Sequence, residues 1–340
     1  MKKIGFLSFG HWTSAADSRA RSAADVLLQS IELAVAVEEL GADGAYFRVH
    51  HFARQLASPF PLLAAAGAKT RRIELGTAVI DMRYENPLYM AEDAAAADLL
   101  AGGRLQLGIS RGSPEPAWQG AEALGYSVDP DEARAKTARF RLAIAGAGVV
   151  AADVGGRPGS AMLTVQPQSP GLASRIWWGS GTRETAVWAG EQGMHLMSST
   201  LLLEDTEVPF DELQAEQIQL FREAWASAGH AGEPRVSVSR SVIPITSDLD
   251  RELFGGDANA DQVGWLDGAL SRFGRTYTGE PDRIAQELAK DAAVQGADTV
   301  LLTVPSQLGV EYNAAMLETI AREIAPAIGW TGRGSALTPS

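Results

Sequence analysis

The chain has 340 residues, 46% of them apolar and 21% charged, the composition of a globular protein with a large core. A net charge of −13 argues against nucleic-acid binding, and the absence of cysteine excludes disulfides, thiolate metal sites and cysteine nucleophiles. No stretch approaches the roughly 20 apolar residues of a membrane span, and no cleavage site follows "MKKIGFLSFG". We therefore expect a cytoplasmic protein with no membrane partner.

Short apolar runs alternate with helical patterns along most of the chain. Strands are predicted at 3–9, 44–49, 72–80, 104–110, 175–180, 194–199, 235–245 and 298–304. Helices are predicted between them, including 183–192, 210–229, one from Pro281 to Gln295 and a last one ending near Ile328. Eight alternating units, with strands apolar on both faces, predict an α/β fold of the closed (β/α)₈ TIM-barrel type. No GxGxxG follows the first strand, which weakens the alternative of an open dinucleotide-binding sheet.

Two segments interrupt this alternation. Residues 112–173 are predicted as an insertion after strand four, with one helix at about 131–148 and a small Gly-rich hairpin. Residues 246–279 are predicted as a polar loop, and its six glycines make it a candidate lid. We expect one barrel domain over residues 1–330 and a disordered tail at 331–340.

A barrel places its chemistry at the carboxyl ends of its strands. His50 and His51 follow the second strand, so at least one of them is predicted to be functional. A metal site is disfavoured, because the first strand carries no His-x-His and His195 lies at the start of its strand. Trp12, Tyr84 and Trp265 are candidates for an apolar wall, although each could equally be a core residue.

Two loops have the composition of phosphate sites. After the fourth strand, Ser110, Arg111 and Gly112 combine backbone N–H groups with a guanidinium. After the fifth, Ser180, Gly181 and Thr182 precede a helix N-terminus, and Arg183 adds charge. A plain helix cap by Thr182 is the alternative. Two such loops on one rim suggest a single phosphate held between them.

Four motifs in order resemble the bacterial luciferase-like flavin monooxygenases over about residues 3–329. The second strand ends in "VHHF" (49–52), where many members have Glu-His-His-Phe, so Val49 is a departure. The other three are "NPLYMAEDAAAADLLAGGRLQLGISRGS", "GSGTRETAVWAGEQG" and "TGEPDRIAQELAKDAAVQGADTVLL".

The resemblance implies a luciferase-like (β/α)₈ barrel that uses reduced FMN, supplied by a separate reductase, and O₂ to oxidise a small organic substrate such as an aldehyde or ketone. It assigns catalysis to His50, with His51 as its neighbour. Segment 76–78, with Thr77 and Ala78, would lie under the flavin ring, where members often have a non-proline cis peptide. Ser110 would lie near the flavin, and the phosphate would be held by Arg111, the Ser180–Thr182 turn and Thr185.

Alternatives remain open at this point. An F420-dependent oxidoreductase has the same fold, although the His-His-Phe motif favours FMN. A non-enzymatic flavin-binding protein and a barrel metal hydrolase are the others. Relatives commonly form dimers, which implies a homodimer.

Overall fold

The computed structural model describes residues 1–112, 122–126, 129–204, 206–256, 261–266 and 269–332. These residues form fourteen strands: β1 Lys3–Ser8, β2 Gly44–Phe47, β3 Glu74–Asp81, β4 Leu105–Ser110, β5 Gly148–Val154, β6 Arg157–Thr164, β7 Ile176–Ser180, β8 His195–Ser198, β9 Leu201–Leu202, β10 Val236–Pro244, β11 Gln262–Leu266, β12 Ala269–Phe273, β13 Thr276–Gly279 and β14 Thr299–Val304. In the same ranges lie ten α-helices: α1 Ala23–Glu39, α2 Pro59–Lys69, α3 Pro87–Leu100, α4 Pro130–Ile144, α5 Arg183–Glu191, α6 Phe210–Ser227, α7 Asp248–Phe254, α8 Pro281–Leu288, α9 Ala292–Gly296 and α10 Gly309–Thr319.

Eight parallel strands close into a barrel in the order β1-β2-β3-β4-β7-β8-β10-β14. Leu196 of β8 lies opposite Val236 of β10, and Val300 of β14 lies opposite Ile4 of β1, so the ring has no free edge. These are the eight strands predicted from the sequence. The prediction of a (β/α)₈ barrel is therefore confirmed.

Barrel strands are buried on both faces, which explains their nearly continuous apolar sequences. In β1, Phe6 packs in the core beneath the helices and meets Phe47 edge to face, with ring centroids 5.8 Å apart. Its neighbour Leu7 belongs to a separate cluster that fills the inner face. That cluster contains one residue from each of five strands: Leu7, Tyr46, Trp177, Met197 and Leu301.

A polar network closes the barrel at the amino ends of its strands. Glu74, the first residue of β3, lies 2.9 Å from Arg235 and accepts a hydrogen bond from the Tyr46 hydroxyl at 3.2 Å. Gln106 of β4 accepts a hydrogen bond from the Trp177 indole at 2.9 Å. The open end of the barrel is therefore the carboxyl end, where the predicted site residues lie.

The segment predicted as an insertion has two parts. Helix α4 packs against α3 and completes the fourth βα unit, so residues 130–144 are regular barrel structure. Strands β5 and β6 form the predicted antiparallel hairpin, which is mostly exposed. Residues 113–121 and 127–128, also part of the predicted insertion, lie outside the described residues.

The prediction of a loop at 246–279 was wrong. Ser247 caps α7 in a capping box, and β13 runs parallel to β10. Strands β11 and β12 form a hairpin that pairs with β9 through Arg272 and Leu202. Short period-two runs were hidden by the glycines and acidic residues between them, and their pairing partners lie far away in sequence.

The single helix predicted from Pro281 to Gln295 is two helices. It breaks at Asp291, which caps α9 by accepting a hydrogen bond from the Val294 amide at 2.8 Å. The same buried carboxylate pairs with Arg240, at 2.7 and 2.9 Å, and accepts from the Tyr277 hydroxyl at 2.6 Å. These tertiary bonds set the position of the break.

Near the end of the chain, the last α-helix stops at Thr319. A π-helical turn and a 3₁₀ turn then continue to Ile328, the predicted end. From residue 333 onward, the predicted tail lies outside the described residues. None of the helices in the described ranges is long and apolar enough to cross a membrane.

Asp291→Asn should lower the free energy of unfolding by about 3–5 kcal/mol, because Arg240 would keep a buried charge without its partner. Urea denaturation at neutral pH measures the change. Asp282→Asn, on the exposed first turn of α8, is the matched control and should cost less than about 1 kcal/mol. Equal losses in the two variants would contradict this account.

Candidate functional site

A cavity of about 400 Å³ opens at the carboxyl ends of the barrel strands. Leu7, Met197 and Leu301 line it from the inner face, and loops after β2, β3, β4, β7 and β8 form its rim. This volume falls in the range of small-molecule sites in proteins, roughly 300–1,000 Å³. The fold therefore brings separate strand ends together around one ligand-sized space.

Both predicted histidines line the cavity. His50 is fixed by its backbone amide, which donates to the Leu56 carbonyl at 2.8 Å. Its Nδ1 lies 3.3 Å from Nη2 of Arg48. A guanidinium has no acceptor atom, so in this contact Nδ1 accepts and the proton of a neutral His50 ring lies on Nε2.

His51 has different neighbours from His50. Its ring stacks on Tyr84 with centroids 4.5 Å apart and planes inclined by 20°. Its Nε2 lies 4.0 Å from Oε1 of Glu85. Burial lowers the pKa of the His51 imidazole below its ordinary value, while it raises the pKa of the Glu85 carboxyl to about 7.

Val49, the departure from the family motif, is buried and lines the cavity. Of the three aromatic candidates, Tyr84 lines the cavity and Trp12 packs against the main core instead. The side chain of Trp265 is outside the described part of the chain.

In segment 76–78 of β3, which was expected under a flavin ring, Ala78 and Thr77 lie in two different environments. Ala78 lines the cavity, and the peptide bond between Ala78 and Val79 is cis. Thr77 is fully buried and its hydroxyl donates to the Gly108 carbonyl at 2.8 Å, away from the cavity lining. Thr77 therefore pins β3 to β4, and Ala78 is the residue in contact with the cavity.

The loop after β4 contributes Ser110 and Gly112 to the cavity, whereas Arg111 is half-buried and does not belong to its lining. A different cation lies at this wall. The Arg83 side chain is buried, pairs with Asp81 at 2.6 Å, and packs so closely on Gly112 that a Cβ there would lie 2.2 Å from Nη2. Gly112 also has a positive φ of 83°, a backbone conformation that favours glycine.

The turn after β7 contributes Ser180 and Gly181 to the cavity. Thr182 caps α5 by accepting from the Thr185 amide at 3.2 Å, as in the plain-cap alternative. The Thr185 hydroxyl lies 2.6 Å from that of Ser180 and 2.9 Å from that of Thr182. Thr182 and Thr185 therefore support Ser180 from behind and do not line the cavity.

The prediction that Arg183 adds positive charge to this turn was wrong. Its guanidinium pairs with Glu204 at 3.2 Å and with Glu216, and its backbone amide donates to Glu204 at 2.9 Å. Glu204 and Glu216 lie outside residues 177–188, the segment on which the positive charge of Arg183 was predicted. Their positions become apparent only when the chain is folded.

The candidate lid reaches the cavity through one described side chain, Phe273 at the end of β12. The β9–β12 pairing holds it opposite Leu201, which also lines the cavity. Its movement as a lid stays a prediction.

Sequence reasoning assigned no role to three residues that the structure places at or beside the cavity: Arg48, Arg83 and Glu85. Arg48 and Arg83 follow strands two and three, so their position at strand ends was a usable signal. Nothing in the sequence pairs Glu85 with His51, because they come from different loops.

His195 begins β8, far from the rim, and burial beside Arg235 lowers its pKa to about 4. Among the residues that the structure describes, no three or more His, Asp or Glu side chains are grouped as metal ligands.

The family model described as "Luciferase-like monooxygenase" matches residues 6–253. The chain therefore belongs to the luciferase-like monooxygenase family. It is similar to 4-hydroxyprotoasukamycin monooxygenase of Streptomyces nodosus subsp. asukaensis, with 33% identity over 134 residues, 39% of this chain and 35% of the relative. The chain spans about a third of the length of the first curated relatives that it matches.

Solved structures share the fold at low identity. The oxygenating constituent of 3,6-diketocamphane monooxygenase from Pseudomonas putida, in complex with FMN, has a TM-score of 0.68 at 16% identity, over 96% of this chain and 99% of that one. The coenzyme F420 dependent tetrahydromethanopterin reductase of Methanopyrus kandleri has a TM-score of 0.63 at 15% identity, with the same coverages. Both structures therefore share the fold of this chain, one in complex with FMN and the other named as F420 dependent.

Gly112→Ala should destabilise the protein more than Gly102→Ala. Both glycines have positive φ, so each substitution should cost about 1–2 kcal/mol in backbone strain. A Cβ at Gly102 meets open space, whereas one at Gly112 collides with Arg83, which should add about 1–3 kcal/mol. Chemical denaturation of both variants measures the difference, and equal costs would show that the Gly112–Arg83 packing is not tight.

Proposed function

We propose that this chain is a flavin-dependent monooxygenase that uses reduced FMN and O₂ to oxidise a small organic substrate such as an aldehyde or ketone. The observation that carries the proposal is the convergence of the two histidines, the Ala78–Val79 segment and the loops after β4 and β7 on one cavity. Membership of the luciferase-like monooxygenase family supports the same reaction class.

The cavity residues fit a phosphorylated flavin. Gly179 allows Val79 and Ser110 to pack closely at the cavity wall, since a Cβ there would lie 3.1 Å from Val79 and 3.4 Å from Ser110. Ser180 and Gly181 would supply a hydroxyl and backbone for a phosphate, beside Ser110 and Gly112 at the end of the neighbouring strand β4. Such local donors are needed, because the net charge of −13 disfavours an anion near the protein.

Reduced FMN, when bound, would supply the activation of O₂ for transfer of one oxygen atom to the substrate. The chain itself would bind and orient the reactants and manage protons. His50 in its neutral form carries its proton on Nε2 because Arg48 occupies Nδ1, so His50 can donate a hydrogen bond to a substrate oxygen. Leu203 and Phe273 at the rim would limit entry of water.

Two alternatives keep the same fold. An F420-dependent oxidoreductase would use the same cavity for hydride transfer without O₂, and the Methanopyrus kandleri neighbour supports it. A flavin-binding protein without activity would bind FMN and consume no substrate. The His50-His51-Phe52 sequence favours the FMN-dependent reaction. We further propose that a separate flavin reductase delivers the cofactor, and that the protein works as a homodimer in the cytoplasm.

Titration of the purified chain with FMN and with F420, followed by fluorescence, separates the cofactors. An oxygen-consumption assay with a flavin reductase, NADH, FMN and a panel of aldehydes and ketones then tests the reaction. We expect tighter binding of reduced FMN than of F420 and product that depends on O₂. Binding of F420 alone, with product formed in the absence of O₂, would establish the alternative.

His50→Ala should lower turnover by about a hundredfold or more and leave the FMN dissociation constant nearly unchanged, because it removes a hydrogen-bond donor to the substrate and no phosphate contact. His230→Ala is the matched control, since His230 contacts the Glu191 carbonyl away from the cavity. Its turnover should equal that of the wild type. Normal turnover of His50→Ala would remove His50 from the mechanism.

Arg111→Ala should weaken FMN binding at least about tenfold, because Arg111 lies between two cavity-lining residues in the proposed phosphate loop. Arg322→Ala removes an exposed guanidinium that pairs with Glu318 and serves as the charge-matched control. Fluorescence titration gives both constants. An unchanged constant for Arg111→Ala would leave the phosphate to Arg83 or to backbone donors.

A further inference from the structure

His51 carries a buried polar atom without a partner. Among the described residues its Nε2 has no hydrogen-bond partner, and the nearest carboxylate oxygen, Oε1 of Glu85, is 4.0 Å away, too far for a hydrogen bond. An unpaired buried group of this kind costs about 1–3 kcal/mol, so a movement of about 1 Å that closes the gap would be favourable. Stacking on Tyr84 keeps the ring oriented towards Glu85.

Glu85 cannot reach the cavity itself. It follows the turn Met82–Tyr84 and does not belong to the cavity lining, whereas His51 does. The Glu85 side chain is 17% exposed, and that of His51 is 22% exposed. The imidazole of His51 therefore lies where it can transmit an effect of Glu85 to a ligand in the cavity.

The surroundings favour a proton on this pair near neutral pH. Burial raises the pKa of Glu85 to about 7, the Asp81 carboxylate adds to the rise, and the Lys136 ammonium opposes it. Burial lowers the pKa of His51, the charge of Asp81 partly offsets this, and His50 adds to the lowering. The charged and titratable groups around the pair are Arg48 and His50 after β2, Asp81 at the end of β3, Arg83 after β3, Asp93 on α3 and Lys136 on α4.

We propose that Glu85 is a positioning residue that sets the tautomer and the protonation state of His51. When Glu85 is ionised, His51 donates Nε2–H to it and Nδ1 is left as an acceptor. When Glu85 takes up one proton from solvent, its O–H donates to Nε2 and the ring proton moves to Nδ1, which becomes a donor. A single proton thus reverses the hydrogen-bonding character that His51 offers to the cavity.

The pair should titrate as one unit. The first proton, bound near pH 7, enters the Glu85–His51 pair, and the second binds below the ordinary pKa of histidine. A buried carboxyl that did not contact the ring would titrate by itself and leave the ring nitrogens nearly unaffected near pH 7. This difference separates a positioning role from a structural one.

Nitrogen-15 NMR of the imidazole in the 340-residue chain without added flavin is the test. In the wild type, His51 should titrate in two steps, with the upper one near pH 7. Glu85→Gln should abolish the upper step and leave a single one below pH 6.5. Asp93→Asn removes an exposed negative charge near Glu85 and is the matched control, which should keep both steps.

A carbon-13 titration of the Glu85 carboxyl in the wild type needs no variant and should show the same midpoint near 7. A single His51 step that is identical in wild type and Glu85→Gln, or a Glu85 midpoint below about 5, would overturn the proposal.

The inference rests on the proposed function only for its effect on turnover. If the chain oxidises a carbonyl compound, Glu85→Gln should lose an inflection near pH 7 in the turnover profile. If it oxidises none, the NMR titrations still decide whether Glu85 controls His51. Failure of the proposed function and failure of this inference are therefore distinguishable.

Discussion

Pairing between β8 and β10 closes a sheet of eight parallel strands, and the candidate site depends on that closure. In a closed ring, all carboxyl ends point in one direction, so loops more than 100 residues apart in sequence face one cavity. The opposite end is blocked by Glu74, Arg235 and their polar neighbours. The barrel thus has one accessible end.

The charges around the cavity differ from the charge of the whole molecule. The chain carries −13 overall, yet Arg48 and Arg83 both line the cavity. Arg83 is held by Asp81, which limits its free charge, and its carbonyl accepts a hydrogen bond from buried Lys136 at 2.9 Å. The Arg83 guanidinium therefore contributes both positive charge and packing to this wall of the cavity, since it also contacts Gly112.

Adjacent histidines after β2 acquire different properties from their neighbours. His50 contacts a guanidinium, which fixes its proton on Nε2. His51 faces an aromatic ring and a carboxyl of raised pKa, so its protonation responds to a second group. Two identical side chains side by side in the sequence can in this way perform two different tasks in one cavity.

The eight strands and the barrel could be predicted from the sequence, because apolar runs on strands buried from both sides and glycine or proline at their ends are local signals. The family followed from the resemblance of four short motifs in order. The sequence also predicted that His50, His51, Ser110 and Ser180 lie at strand ends. The folded structure was needed to show that Thr77, Thr182 and Thr185 turn their hydroxyls away from the cavity, that Arg183 is paired with carboxylates, and that Glu85 lies 4.0 Å from His51. The direction of a side chain and the identity of its partner depend on contacts between distant segments, and these contacts exist only when the ring is closed.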